Sequence, residues 1–368
     1  MTTYYFSILD ILPYFIVLLL LIFISCMNTS GSKKALLCFI VLFLFAAIRY
    51  GIGYDYYSYL SYILHDRDDY QYEKMEPFSL ILVEIAYYTH YQSFFALGSL
   101  LTLYPVYLIC KKYSVNPALS LIVFYLHPLF YLAYLSIVRN GIAISFVFLA
   151  FIYLQEKKIL KSILFLLCAC MFHKSAIIGV LIYPIYYFFN YRYMHLIAYL
   201  FSFGLSLLMS RVITQYASAF ELVSIAERYM DKGAEGGNLM SVIINSMGII
   251  NLLLWKKIES CGTDYGKYLA LCNFGVCLWN ICLPLNYTMA NRFCLFFFTP
   301  IILIIPCYNL IFSLKKRAII KRLTYLFFIL LFCSHFYINV SSFLKSPDRI
   351  GSVPYQTVFF GKDYSNLQ

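Results

Sequence analysis

Four short polar stretches interrupt long apolar runs, and each carries a group able to hold an anion or move a proton. The first is Arg49-Tyr-Gly-Ile-Gly-Tyr-Asp-Tyr-Tyr-Ser-Tyr59. Gly51 and Gly53 permit tight backbone turns. Arg49 can clamp an anion and Asp55 can act as a carboxylate base. Tyr54, Tyr56 and Tyr57 offer flat faces and hydroxyls that suit sugar rings. A belt of interfacial tyrosines with a local ion pair is the plainer reading of the same residues. The second stretch is Arg139-Asn140, with His127-Pro128 upstream. An arginine in a very short gap between apolar runs is costly unless it faces a cavity or a partner, and its planar fork binds phosphate bidentately. Snorkelling to the headgroups is the alternative.

The third stretch is His173-Lys174-Ser175, where His173 could serve as a base or a phosphate ligand. The fourth is Asn286-Tyr-Thr-Met-Ala-Asn-Arg292, in which Arg292 could supply a second phosphate contact and Asn291 a contact to glycan. Glu76 is a further candidate base, and Glu84 also lies near the membrane face. Asp66, Asp68 and Asp69 read as loop charges. Glu221, Glu227, Arg228 and Asp231 predict an external amphipathic helix that could cover a cavity. No GxSxG, Walker-type or HExxH motif occurs. Neither CxxC nor a Cys/His cluster at metal spacing is present, so no metal, cofactor or disulfide framework is expected.

These groups must be held by helices in lipid. Hydrophobic residues make up 62% of the chain, charged residues 12%, and mean hydropathy is +0.77. A soluble domain sits near 45–50% apolar and about 25% charged, so the surplus apolar surface belongs in a bilayer. The 37 tyrosines suit the membrane–water interface, where the ring is buried and the hydroxyl stays wet. A span needs about twenty mainly apolar residues. Candidate runs are 11–28, 34–48, 77–91, 93–110, 117–136, 140–155, 160–177, 178–190, 194–210, 239–255, 266–284, 293–312 and 323–341. The fold class predicted is an all-α polytopic integral membrane bundle of about 12–13 hydrophobic helices. Residues 1–368 read as a single transmembrane domain with external loops 49–76 and 211–238 and a polar tail 342–368. No Lys or Arg precedes the first run, which reads as a retained helix, not a signal peptide.

Basic clusters at Lys33–Lys34, Lys111–Lys112, Lys157–Lys161, Arg192, Lys256–Lys267 and Lys315–Arg322 fix the orientation by the positive-inside rule. Placed together in the cytoplasm, they leave the other face slightly acidic. The net charge of +11 is then a topology signal, and nucleic-acid binding is not expected. One conflict stands. Loop 49–76 comes out external and Lys111–Lys112 internal, yet two apolar runs lie between them. Either 77–91 is re-entrant or interfacial, or the lysines face outward. The four polar stretches all fall near the external face and would converge there.

The order of these motifs resembles the EpsG family, part of the wider Wzy class of O-antigen and exopolysaccharide repeat-unit polymerases. The matching positions are Arg49, Gly51, Gly53, Asp55, Tyr56, Glu76, Pro77, Arg139, Gly141, Ala143, His173, Ser175, Ala176 and Arg292. The resemblance implies an undecaprenyl-diphosphate-linked oligosaccharide substrate, an active site on the outer face of the bacterial inner membrane, and a chain-length regulator as partner. The growing glycan would pass from its carrier to the non-reducing end of a new lipid-linked unit. The leaving diphosphate needs charge stabilisation, which Arg139 and Arg292, with Arg49 and Lys174, could give. Asp55 is the first candidate base, then His173, then Glu76. Two rivals remain at this point: a flippase of lipid-linked oligosaccharide, which should carry charges through mid-helix, and a membrane-bound O-acyltransferase built on His173.

Overall fold

A computed structural model describes residues 8–64, 70–189, 191–216, 234–311, 314–345 and 351–359. The chain forms an all-α bundle in which strand is confined to one two-residue pair among the described residues. In order, the elements are α1 (Leu12–Cys26), α2 (Gly31–Ala47), β1 (Arg49–Tyr50), α3 (Tyr56–Leu64), α4 (Tyr70–Glu73), α5 (Pro77–Tyr88), α6 (Gln92–Tyr113) and α7 (Pro117–Leu126). Then come α8 (Tyr131–Ser136), α9 (Val138–Gln155), α10 (Ile159–Phe172), a 3-10 segment (Lys174–Leu181), α11 (Ile182–Phe188) and α12 (Arg192–Tyr216). The last are α13 (Ala234–Glu259), α14 (Tyr265–Cys282), α15 (Tyr287–Phe298), α16 (Ile301–Ile304), α17 (Leu314–Lys345) and β2 (Gln356–Thr357).

Local chemistry sets several of these starts. Ser30 accepts the Lys33 amide, Asn116 that of Leu119, and Asn286 that of Met289, each satisfying a donor that a helix N-terminus leaves open. Pro77 and Pro117 occupy first-turn positions where no amide is needed. Breaks matter more for function. The predicted run 117–136 divides at His127–Phe130 into α7 and α8. Ile137 then leaves helical geometry, and α9 restarts with Arg139 in its first turn. Run 293–312 bends by 48° after α15, at Thr299–Pro300.

Helices α6, α9, and parts of α12 and α13 are long and apolar enough to cross a membrane, and α15 with its bent continuation is long enough for a fifth when the two are counted as one broken span. Shorter apolar helices, among them α1, α5, α7 and α10, fill the remaining predicted runs. Helix α5 has 12 residues. At 1.5 Å per residue it is roughly 18 Å long, against a hydrocarbon core of about 30 Å. It therefore does not cross alone, which resolves the conflict at Lys111–Lys112. Gln92, opening α6, donates to Ala47 O and Arg49 O at the end of α2. Farther along, Phe39 of α2 stacks on Tyr107 of α6 at 5.0 Å. The two helices run antiparallel, so Lys111–Lys112 share an end of the bundle with Lys33–Lys34. Glu156, after α9, joins that end by ion pairs with Lys112 and Lys158.

Two predicted loops carry structure. Loop 49–76 contains α3 and α4, and α12 extends into the predicted loop 211–238 as far as Tyr216. Glu221, Glu227, Arg228 and Asp231 lie outside the described residues. The tail departs most from its reading as a polar extension. Helix α17 runs to Lys345, and 351–359 folds back so that β2 pairs antiparallel with β1, Arg49 opposite Thr357 and Tyr50 opposite Gln356. Val353 is 1% exposed.

Candidate functional site

At the end of the bundle opposite Lys111–Lys112, a cavity of about 400 Å³ is lined by Asp55, Tyr59, Lys74, Glu76, Ile137, Arg139, Asn140, His173, Lys174 and Arg292. Residues from all four polar stretches thus meet at one mouth. Each is delivered by a helix end. Asp55 directly precedes α3, and its carbonyl accepts the Tyr59 amide one turn later. Glu76 directly precedes α5, Arg139 and Asn140 sit in the first turn of α9, and His173 joins α10 to the 3-10 segment. Ser79 donates to Phe172 O at 2.8 Å, tying the start of α5 to the end of α10.

That tie brings Glu76 to the centre. One carboxylate oxygen accepts from Arg139 Nη1 at 2.8 Å, and the other accepts the Lys174 amide at 2.8 Å. Glu76 is so placed that it orients cations, and both of its carboxylate oxygens are already engaged. Arg139 also donates from Nε to the Tyr59 hydroxyl at 3.3 Å and lies over that ring. Arg292 forms no ion pair among the described residues. Burial raises the Asp55 carboxyl above the ordinary carboxylate range, and the charges of Arg292 and Arg139 oppose that rise. A carboxylate so poised is a better base than a solvated one.

Ser175 engages one ring nitrogen of His173. Nδ1 accepts the backbone amide of Ser175 at 3.2 Å and lies 2.7 Å from the Ser175 hydroxyl, which is also 3.3 Å from Asn140 Oδ1. With the hydroxyl proton turned to Nδ1, as the amide proton is, the neutral ring carries its own proton on Nε2. Burial pushes the imidazole down to about 4, with Arg139, Arg292 and Lys174 adding to the fall and Glu76 opposing it. At neutral pH His173 is a neutral donor. Nδ1 faces Ser175, so Nε2 is the ring nitrogen left to meet a ligand.

Five other predicted residues do not line the cavity. Arg49 is 1% exposed and donates to Ala46 O, Ser99 Oγ and Leu135 O. Its two terminal nitrogens are taken by the protein, and Nε is buried without a partner among the described residues, so it braces the loop and is closed off from a diphosphate in the cavity. Tyr56 is buried against Phe95, with ring centroids 4.1 Å apart, and has no face left for a sugar. Tyr57 is half-buried beside Gly51. Tyr54 remains exposed, while Asn291 precedes Arg292 without lining the cavity. Tyr59 and Lys74 were missed. Spacing could have found Tyr59, since it sits four residues after Asp55 and one helical turn places both on one face.

The EpsG family model matches residues 34–357. The chain belongs to the EpsG family. EpsG is a Wzy-like polymerase family. No curated protein and no solved structure matches this chain. The EpsG match takes in every residue that lines the cavity, and also β1 and β2.

Proposed function

We propose that this protein polymerises surface polysaccharide at the outer face of the bacterial inner membrane. It would transfer a glycan from undecaprenyl diphosphate to the non-reducing end of another lipid-linked repeat unit. The observation that carries the reading is the meeting of Asp55, Arg139, His173 and Arg292 in one cavity at the end away from the lysine-rich face. Lysine-rich ends face the cytoplasm in most membrane proteins, so the cavity would open outward.

In the reaction the donor C1–O bond to the diphosphate breaks and the acceptor oxygen bonds to C1. The acceptor proton passes to the Asp55 carboxylate, and undecaprenyl diphosphate leaves as an anion. Arg292 and the Lys174 ammonium would neutralise its charge, with Nε2–H of His173 donating to a phosphate or glycan oxygen. Arg139, aimed by Glu76 and Tyr59, would supply a second guanidinium. Tyr54, exposed beside Asp55, would offer a ring to the glycan, and lipid would hold the polyprenyl tail. A chain-length regulator is the expected protein partner, and the residues call for no metal or other cofactor. The charges cluster at one end of the bundle, which favours this reading over a transporter with charged groups along a central path.

The test is a polymer ladder from cells carrying single substitutions. Arg292→Ala should remove one or two charge-assisted hydrogen bonds of about 1.5–3 kcal/mol each, a loss of at least ~10-fold in rate. Asp55→Asn should leave single-repeat glycan on the carrier. Full-length polymer from normally expressed Arg292→Ala would refute the diphosphate role. Loss of all surface glycan would point to a flippase, and full-length polymer lacking an ester to an acyltransferase.

A further inference from the structure

We propose that the C-terminal segment 351–359 is a positioning element that pins the Asp55-bearing loop from outside and so holds Asp55 in register with Arg139 and Arg292. This rests on the reading of Asp55 as the base. The loop needs such a hold. Residues 48–55 join α2 to α3, and Gly51 and Gly53 adopt φ of +66° and +112°. Backbone of this kind loses the most freedom on ordering, at about 1–2 kcal/mol per residue.

On its inner side the loop is braced by the protein body. Arg49 donates to Leu135 O at 3.2 Å, and Gln92 donates to Arg49 O at 2.9 Å. Gly53 lies so close to the 135–136 backbone that a Cβ there would come within 2.6 Å of Leu135 O. On the outer side the hold comes from the C-terminal segment. Val358 N–H donates to Ile48 O at 3.0 Å, and Gly53 N–H donates to Gly351 O at 2.8 Å. The second of these bonds is two residues from Asp55.

A two-residue strand pair does not sustain itself in water, so the segment must be anchored elsewhere. Tyr355 provides the anchor. Its ring stacks on Phe45 at 4.1 Å and 4°, its hydroxyl donates to Phe45 O at 2.7 Å, and its amide donates to Asp10 O at 3.0 Å. The Tyr14 hydroxyl donates to Ser352 O. No residue of 351–359 lines the cavity. Any effect of the segment on turnover must therefore pass through the loop.

The test uses purified full-length protein carrying Val358→Pro, which deletes the amide that bonds Ile48 O, or Tyr355→Ala, which deletes the anchor. Hydrogen exchange over 49–55 and turnover of a lipid-linked glycan are measured together. Exchange there should rise about 10-fold or more, as expected for a locally released segment. The value of kcat should fall on the order of 10- to 100-fold, as for an ångström-scale misplacement of a reacting group. KM should change far less, since the phosphate-binding residues stay in place. Tyr355→Phe keeps the stacked ring and should return most of kcat. Unchanged exchange at 49–55 overturns the clamp, and raised exchange with kcat intact overturns its positioning role. A wild-type protein with no turnover refutes the polymerase reading instead, and the exchange result then still decides whether the segment holds the loop.

Discussion

The Arg139–Glu76 pair and Arg292, which has no ion pair among the described residues, should respond to substitution in opposite ways. The side chains of Arg139 and Glu76 are 22% and 10% exposed and meet at 2.8 Å. Removing one partner of a fully buried pair costs about 3–5 kcal/mol, and of an exposed pair about 0–1. This pair lies between those limits, so Arg139→Gln should cost roughly 2–3 kcal/mol. Part of the Glu76 charge remains satisfied by the Lys174 amide. For a chain of 368 residues the cost corresponds to a fall of roughly 3–5 °C in the unfolding midpoint. Glu76→Gln/Arg139→Gln removes the stranded charge and should recover at least ~1 kcal/mol of that loss. Arg292→Gln breaks no ion pair among the described residues and should shift the midpoint by no more than ~1 °C. All three variants should lose polymerase activity. The assay pairs thermal unfolding in detergent with a polymer ladder. Equal midpoints for Arg139→Gln and Arg292→Gln, or a double variant less stable than Arg139→Gln, would refute the assignment of Glu76 as the group that holds Arg139.

Two further outcomes follow from the same geometry. The His173 imidazole is depressed to about 4, whereas an unfolded histidine titrates near 6.5. Its neutral form therefore stabilises the fold above about pH 6.5, and that contribution fades as pH falls towards about 4. Unfolding midpoints of the wild type and His173→Gln should accordingly converge across this window; parallel curves would show that the imidazole is not held neutral. Gly53→Ala places a Cβ within 2.6 Å of Leu135 O at a φ of +112°. Strain of at least ~1–3 kcal/mol is expected there, read as lower yield of folded protein and loss of polymer, while Gly204→Ala, with open space around it, should leave both unchanged.

The helical class was legible because 62% apolar content over this length admits few alternatives. Convergence of the four polar stretches was legible for a related reason. Lysine asymmetry sets which helix ends share a side, and polar residues at those ends have nowhere else to gather. Arg49 was misread because its type and place match those of Arg139. What separates them is a carbonyl at Leu135 and a hydroxyl at Ser99, both distant in sequence and invisible to spacing. Tyr56 and Tyr59 invert in the same way: the face of α3 that meets Phe95 takes the first, and the face that meets Arg139 takes the second. His173 meets a backbone amide two residues on, a contact that no side-chain pattern records. The tail looked like a polar extension because its buried stretch, 351–354, is short and of mixed polarity, its anchors are backbone groups and one tyrosine, and no periodicity surrounds them.

The broken helices give a physical reason for proposing an anion at this site. Residues at the N-termini of α3, α5, α9 and the 3-10 segment all line the cavity. Helix N-termini carry partial positive charge from amides without partners. A cation placed there is disfavoured by about 0.3–1 kcal/mol, yet Arg139 and Lys174 occupy first-turn positions, and Arg292 reaches the same cavity from the middle of α15. Glu76 and Asp55 are the two carboxylates at the cavity, and Glu76 is spent on Arg139. The surplus is positive and lies in a half-enclosed space, where salt screens it less than on an open surface. A fold that concentrates cations against its own helix dipoles is more stable with an anion bound than without one. Diphosphate, with its charge spread over several oxygens, meets that need better than a carboxylate or an ester. An unreactive polyprenyl diphosphate should therefore raise the unfolding midpoint of the wild type more than a polyprenyl monophosphate does, and the difference should shrink in Arg292→Gln.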